Sequence, residues 1–180
     1  YKAAEIVSWL KQNGAQVQVA MTEGATHFIT PLTMKTLSGR PVAVEIMDTS
    51  AAWQVPHIDI ADCDLFLVLP ATANILAKAA HGLADDLLSA ALLATTAPVL
   101  AAPAMNMHMY ANAATQGNLA LLQQRGWQFI EPGYGYLACG SYGQGRLADM
   151  DVLKEEITRV LLRPDGPLSG HRVLVSAGPT

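Results

Sequence analysis

Apolar positions along the chain switch between two periods, and the switches mark out the elements. Ala3, Ile6, Val7 and Leu10 recur at helical spacing and Gly14 offers a stop, which predicts an opening helix. Residues 16–21 then alternate as a strand. Thr30 before Pro31 marks a helix start, that helix ends near Gly39, and Val42, Val44 and Ile46 alternate as a short strand. Residues 48–55 read as irregular. Residues 64–69 and 98–102 are near-continuous apolar runs, the pattern of strands buried on both faces of a parallel sheet. Helices are predicted over 74–81 and 84–94, separated by Gly82, with Asp85 and Asp86 suiting the second start. A further helix covers 113–125 before Gly126, and 127–130 is another strand. The last helix spans 152–162, capped by Asp149 or Asp151.

Helices that alternate with strands in this way build an α/β fold on a parallel sheet. A first helix that runs directly into a strand implies a strand before Tyr1, because such helices connect parallel strands. The sequence opens on Tyr1-Lys2 without an initiator Met, so the expectation is that this strand and its turn into the helix precede it. In nucleotide-binding α/β folds that turn often carries the phosphate-binding glycines. At the other end, residues 171–176 read as a lone strand after the loop 164–170. The expected organisation is one domain over 1–163, a linker over 164–170 and the start of a second domain at 171–180.

Composition narrows the class. Only 14% of the 180 residues are charged against 51% hydrophobic, which points to surface buried in an oligomer. A net charge of −4 with no basic run argues against nucleic acid. No apolar run reaches transmembrane length, since 84–93 is broken by Asp85, Asp86 and Ser89. Cys63 and Cys139 belong to no CxxC pair or His/Cys cluster, which argues against a disulfide scaffold or a zinc site and fits a reduced, cytoplasmic setting.

Candidate chemistry gathers where strands turn into helices, the place where α/β folds bind ligands. Ala101-Ala102-Pro103-Ala104-Met105-Asn106-Met107-His108-Met109-Tyr110 follows the second apolar strand, which Pro103 ends for want of an N–H. Asn106 is one amide among three methionines; taken alone, it reads as an Asn closing its own loop. Pro70-Ala71-Thr72-Ala73-Asn74-Ile75 follows the first apolar strand. Its small residues let a flat ligand approach, Thr72 and Asn74 supply hydrogen bonds, and the helix start supplies a positive dipole; the plainer reading is a Thr N-cap on a loop of small residues. Thr22 either caps the next short helix or offers its hydroxyl to an anion. His57, at the loop exit Pro56-His57-Ile58, reads by position as an ordinary surface or capping His, although its side chain can exchange a proton near neutral pH. His81 and His108 have no evident partner and receive no role. Residues 132–146 hold five glycines and three tyrosines, too long and glycine-rich for a mere connection, and read as a lid or clamp. Cys139 within it is either an exposed thiol or a small buried hydrophobe.

Together these stretches resemble the flavin-containing cysteine decarboxylases. The likeness rests on Pro56-His57-Ile58, on residues 70–75, on Pro103 to Met109, and on Ala138-Cys139-Gly140 leading to Gly143-Gln144-Gly145-Arg146, in that order along almost the whole chain. More narrowly, the chain is similar to the decarboxylase half of bifunctional coenzyme A biosynthesis proteins, which join phosphopantothenoylcysteine decarboxylase to phosphopantothenate–cysteine ligase. Its last eight residues, Val173 to Thr180, resemble the opening of the ligase half. The resemblance implies a Rossmann-like or flavodoxin-like three-layer sandwich with the first strand missing, FMN as cofactor, and a trimer or a multiple of trimers. Mg²⁺ and a nucleoside triphosphate would serve only the ligase domain, and no metal is implied here.

Carried over by motif, Thr72, Ala73, Asn74, Ile75 and Ala104 would line the flavin, as would Thr22 and Phe28. Asn106 would hold the substrate carboxylate, His57 would be the base, and Cys139 the proton donor. Thr72 and Ile75 replace the family's commoner Ser and Thr, and Tyr110 stands where many members have Trp. The implied reaction oxidises the substrate's cysteine side chain to a thioaldehyde, whose C=S group accepts the electrons as CO₂ leaves; the resulting enethiolate is then reduced, returning the flavin to its starting state. Rival readings are a peptidyl-cysteine decarboxylase, a flavin prenyltransferase, and a flavin-binding regulatory subunit without turnover. The Cys139 stretch and the ligase-like tail weigh against the first two, and the presence of His57, Asn106 and Cys139 against the third.

Overall fold

The computed structural model describes residues 1–46, 55–136, 140 and 142–162. The predicted irregular stretch from 48 to 54, Cys139, the linker and the strand at 171–176 lie outside the described residues.

The central ladder consists of β3 (Phe66–Ala71), β4 (Val99–Pro103) and β5 (Gln128–Phe129), all parallel, with β4 in the middle. All five residues of β4 are buried, as expected for a strand covered on both faces. A second parallel ladder pairs β1 (Val19–Ala20) with β2 (Val42–Ala43). Both are shorter than the alternation predicts, although the Met21 N–H still bonds the Ala43 carbonyl at 2.8 Å.

Helices cover the central ladder on two sides. On one, α1 (Lys2–Gln12) and α9 (Met150–Leu161) send Ile6, Leu153 and Ile157 against Leu100, Ala102 and Ile130. On the other, α4 (Pro56–Ala61), α5 (Ala73–His81), α6 (Leu87–Ala94) and α8 (Ala113–Gln124) bury Ile60, Leu76, Ala80, Leu87, Ala91 and Leu122 against Phe66, Val68, Val99 and Ala101. Alternate residues of β3 and β4 thus feed opposite cores, the period-two rule of a pleated strand. Beside the second ladder, α3 (Pro31–Ser38) packs Met34 with Val7, Val19 and Met21, and α2 (Glu23–Thr26) fills the turn after β1.

Several boundaries depart from the periodicity for physical reasons. The α6 helix begins at Leu87, not at residue 84, because the Asp86 carboxylate accepts from the Ser89 N–H at 2.8 Å while the Ser89 hydroxyl accepts from the Asp86 N–H at 3.1 Å. That reciprocal box fixes Asp86 as the N-cap. Asp149 occupies the N-cap of α9 but does not cap it by side chain; its carboxylate pairs with Arg146 and Lys2 instead. Residues 56–61 form a helix where a loop exit was expected, with Pro56 at its first position and Ile60 and Ala61 buried. Helix α7 (Met107–Ala111) was likewise unexpected. The glycine-rich stretch is an antiparallel hairpin of β6 (Gly133–Tyr136) and β7 (Tyr142–Arg146), not an irregular loop.

Candidate active site

The carboxyl ends of β3 and β4 meet. Ala71 is in register with Pro103, and the Ala104 N–H donates to the Ala71 carbonyl at 3.0 Å. This places Thr72, which opens α5, beside Ala104, which opens the Asn106 turn. Thr72 is the N-cap of α5 and accepts from the Ile75 N–H at 3.4 Å. Thr72 and Asn74 are exposed, Ala73 and Ala104 are half-buried, and Ile75 is buried in the core beneath them. The result is a floor of small side chains with a hydroxyl and an amide at a helix start, groups that suit a flat ligand with polar edges.

Asn106 caps α7, its Oδ1 accepting from the His108 N–H at 2.8 Å. The loop-closing role read from the sequence is therefore present. It also fixes the amide, since one bond from the His108 N–H holds Oδ1 to the start of the helix.

The β6–β7 hairpin lies on this turn. Its tyrosines Tyr134, Tyr136 and Tyr142 are exposed and form one aromatic cluster, with ring centroids 6.2 and 6.0 Å from Tyr142. The opposite face is glycine. A Cβ on Gly143 would come within 2.5 Å of Met107 Sδ, and one on Gly145 (φ +145°) within 2.3 Å of the Met105 carbonyl oxygen. The Met105 N–H donates to the Gly145 carbonyl at 2.9 Å. Glycine is needed here because two backbones touch.

Tyr110, at the end of α7, donates to Glu131 Oε2 at 3.3 Å. Burial pushes its hydroxyl up to about 12, and the adjacent Glu131 carboxylate adds to the shift.

His57 sits half-buried on α4, which packs on α6 and is pinned by the Thr95 hydroxyl donating to the Ala61 carbonyl at 2.8 Å. Its Nδ1 is buried and has no hydrogen-bond partner among the described residues. Thr22 follows β1 and caps α2, accepting from the Ala25 N–H at 3.2 Å, so the capping reading holds for it. Phe28, just beyond α2, is a large aromatic side chain that is 93% exposed. Burial pushes the Cys63 thiol up and Asp62 and Asp64 reinforce the shift, the opposite of an activated nucleophile. No cluster of metal-ligating side chains occurs among the described residues.

Sequence reasoning missed the close approach of Gly143 and Gly145 and the bond to Glu131. The glycines had a signal, a strict alternation with tyrosine and glutamine that spells a strand pair with one bare face. Glu131 had none, since a lone carboxylate after a strand says nothing about what reaches it.

Residues 1–162 match the model of the flavoprotein family. The chain belongs to that family. Among curated relatives of this flavoprotein, the coenzyme A biosynthesis bifunctional protein CoaBC of Bacillus subtilis (strain 168) is 46% identical over the whole chain. The chain spans about 45% of that protein's length. Among solved structures, the FMN-dependent cysteine decarboxylase SpaF aligns with a TM-score of 0.75 at 31% identity, covering 88% of this chain and 86% of that one. A PPC decarboxylase mutant complexed with pantothenoylaminoethenethiol aligns with a TM-score of 0.74 at 29% identity, covering 88% and 91%. The fold is accordingly the expected Rossmann-like, flavodoxin-like α/β sandwich of flavoprotein decarboxylases.

Proposed function

We propose that this chain binds FMN and carries out the oxidative decarboxylation of 4'-phospho-N-pantothenoylcysteine to 4'-phosphopantetheine, its residues 1–163 belonging to the decarboxylase domain of a longer protein that also contains phosphopantothenate–cysteine ligase. The observation that carries this reading is identity of 46% along the whole chain to one section of a bifunctional coenzyme A biosynthesis protein. Similarity to a PPC decarboxylase complexed with pantothenoylaminoethenethiol supports the substrate class.

The residues present suit the cofactor. The floor of Thr72, Ala73, Asn74 and Ala104 over buried Ile75 accepts a flat ring with polar edges, and exposed Phe28 and the Thr22 turn lie after β1. When bound, FMN supplies the reversible two-electron oxidation that makes the substrate's C–SH carbon a C=S electron sink. The Asn106 amide, oriented by His108 N–H, donates to the substrate carboxylate until CO₂ departs. His57 accepts the proton released as the substrate is oxidised; its Nδ1, buried and without a hydrogen-bond partner among the described residues, leaves its ring uncommitted there. Cys139 returns a proton as the enethiolate is reduced to the product thiol.

The finer parts of the proposal are a trimer or a multiple of trimers and a cytoplasmic setting. The low charge content and exposed Phe28, Leu32 and Leu93 support assembly, and among the described residues no helix is long and apolar enough to cross a membrane. Mg²⁺ belongs to the ligase reaction. A second reading is decarboxylation of a cysteine at the end of a peptide; the likeness to SpaF, an FMN-dependent cysteine decarboxylase, supports the cysteine chemistry that both readings share.

The test uses the protein at its natural length. A yellow preparation that releases CO₂ anaerobically from phosphopantothenoylcysteine, without net consumption of flavin, supports the proposal. A yellow protein inert on it but active on a cysteine-ended peptide supports the second reading. A colourless, inert protein defeats both.

A further inference from the structure

The Asn106 turn is tied to the β6–β7 hairpin at two points. At its start, Met105 N–H bonds the Gly145 carbonyl at 2.9 Å. Beyond its end, Tyr110 on α7 donates to Glu131 Oε2 at 3.3 Å, and the Gln144 side-chain amide on β7 donates to the same oxygen at 3.5 Å. Glu131 itself is not part of either element. It follows Ile130, which is fully buried and whose N–H bonds the Ala101 carbonyl of β4 at 2.9 Å. The carboxylate is thus an exposed group beside the central sheet that both α7 and the hairpin reach. Gln116 Nε2 also donates to the Tyr110 carbonyl at 2.6 Å, so the end of α7 is anchored to α8 as well.

We propose that Glu131 is a positioning residue, whose carboxylate accepts from both Tyr110 and Gln144 and so sets the Asn106 turn against the β6–β7 hairpin. The proposal rests on the decarboxylase reading for its consequence in turnover, and on the geometry alone for its consequence in local stability. A carboxylate oxygen has lone pairs enough for two donors, which an alanine does not replace. Tyr110 stays a phenol donor across the working pH range because its hydroxyl is pushed up to about 12, so the bracket does not open through that group. The position needs a side-chain donor that reaches Glu131. Trp has one in its indole N–H and Phe has none, which separates the loss of a hydrogen bond from the loss of a ring.

The experiment compares the natural-length protein with Glu131→Ala, Tyr110→Phe and Tyr110→Trp. Flavin content, read from the visible spectrum, stays at the wild-type value in all three. Amide exchange is expected to speed up roughly three- to tenfold over the peptide 104–111 and in β7 for Glu131→Ala and Tyr110→Phe, with β3 unchanged. With phosphopantothenoylcysteine, KM rises by a similar factor while kcat stays within about twofold, because the Asn106 amide holds the carboxylate alike in the bound substrate and through its oxidation, before CO₂ leaves. Tyr110→Trp restores both readouts. Wild-type exchange in Glu131→Ala and Tyr110→Phe overturns the proposal whatever the enzyme's substrate proves to be. Faster exchange with an unchanged KM overturns the link to Asn106. If the wild type does not turn over this substrate, the decarboxylase reading fails while the exchange data still decide the bracket.

Discussion

Replacing Gly145 by alanine tests the site's most exacting contact. The added Cβ would sit 2.3 Å from the Met105 carbonyl oxygen and 3.4 Å from Met107 N, so the hairpin must retreat by about an ångström from a backbone that cannot rotate away. Retreat breaks the 2.9 Å bond from Met105 N–H, at a cost of about 1–3 kcal/mol if the half-buried donor is left unmet. At φ +145° an L side chain adds roughly 1–3 kcal/mol of backbone strain. Together the hairpin's docking should weaken by about 2–6 kcal/mol, roughly thirtyfold to some ten-thousandfold in its opening equilibrium. Hydrogen exchange at the Met105 amide reads this directly. If the hairpin unfolds with the domain, the urea midpoint falls by about 1–3 M instead, for a slope of roughly 2 kcal/mol/M. Gly117 on α8 is the matched control, since nothing lies within 4 Å of its added Cβ. Gly117→Ala should stabilise by about 0.5–1 kcal/mol. Wild-type exchange at Met105 and a wild-type midpoint in Gly145→Ala would refute the backbone contact as the reason for glycine there.

Three further outcomes are expected. Asn106→Asp places a carboxylate against the substrate's own, so KM for phosphopantothenoylcysteine should rise at least tenfold with flavin content unchanged; an unaltered KM removes Asn106 from carboxylate binding. Cys139→Ser should still release CO₂ but accumulate the oxidised enethiol, and full conversion to product at the wild-type rate would take the proton-donor role from Cys139. Burial alone would raise the Asp86 carboxyl, but the Lys78 ammonium at 2.7 Å and the Ser89 N–H and hydroxyl outweigh it and hold the group below its ordinary 3.8. A carboxyl lowered in the folded state stabilises fully above pH 3.8, and that contribution is lost as pH falls through its lower folded value. Lys78→Met should flatten the fall of stability below pH 3.8 in urea titrations, and parallel acid limbs for variant and wild type would show that Lys78 is not the cause.

Much of this protein could be read along the chain. Where burial on both faces demands unbroken apolarity, as in β3 and β4, the pattern is local and visible. Helix starts that depend on one side chain, such as Thr30 and Thr72, are equally local. The turns after β3 and β4 could be picked out because small residues and short polar groups cluster there, and the resemblance supplied the flavin and the roles.

Other features were invisible because their causes lie far away in sequence. Helix α4 is a single short segment, stabilised by burying Ile60 and Ala61 beside α6 and by the bond from Thr95, thirty-four residues from Ala61. Asp149 was a cap by rule, but Lys2 and Arg146 reach it first.

The sequence by itself determined the α/β class, the buried strands, and the two strand-to-helix turns that form the candidate site, because periodicity and capping act within a few residues. Only the tertiary structure decided that the glycine-rich stretch is a hairpin laid on the Asn106 turn, that Ala104 bonds back to Ala71, and that Glu131 stands between Tyr110 and Gln144. Those contacts join segments of separate elements, and their geometry is set by how the strands align in the sheet, which no local pattern encodes.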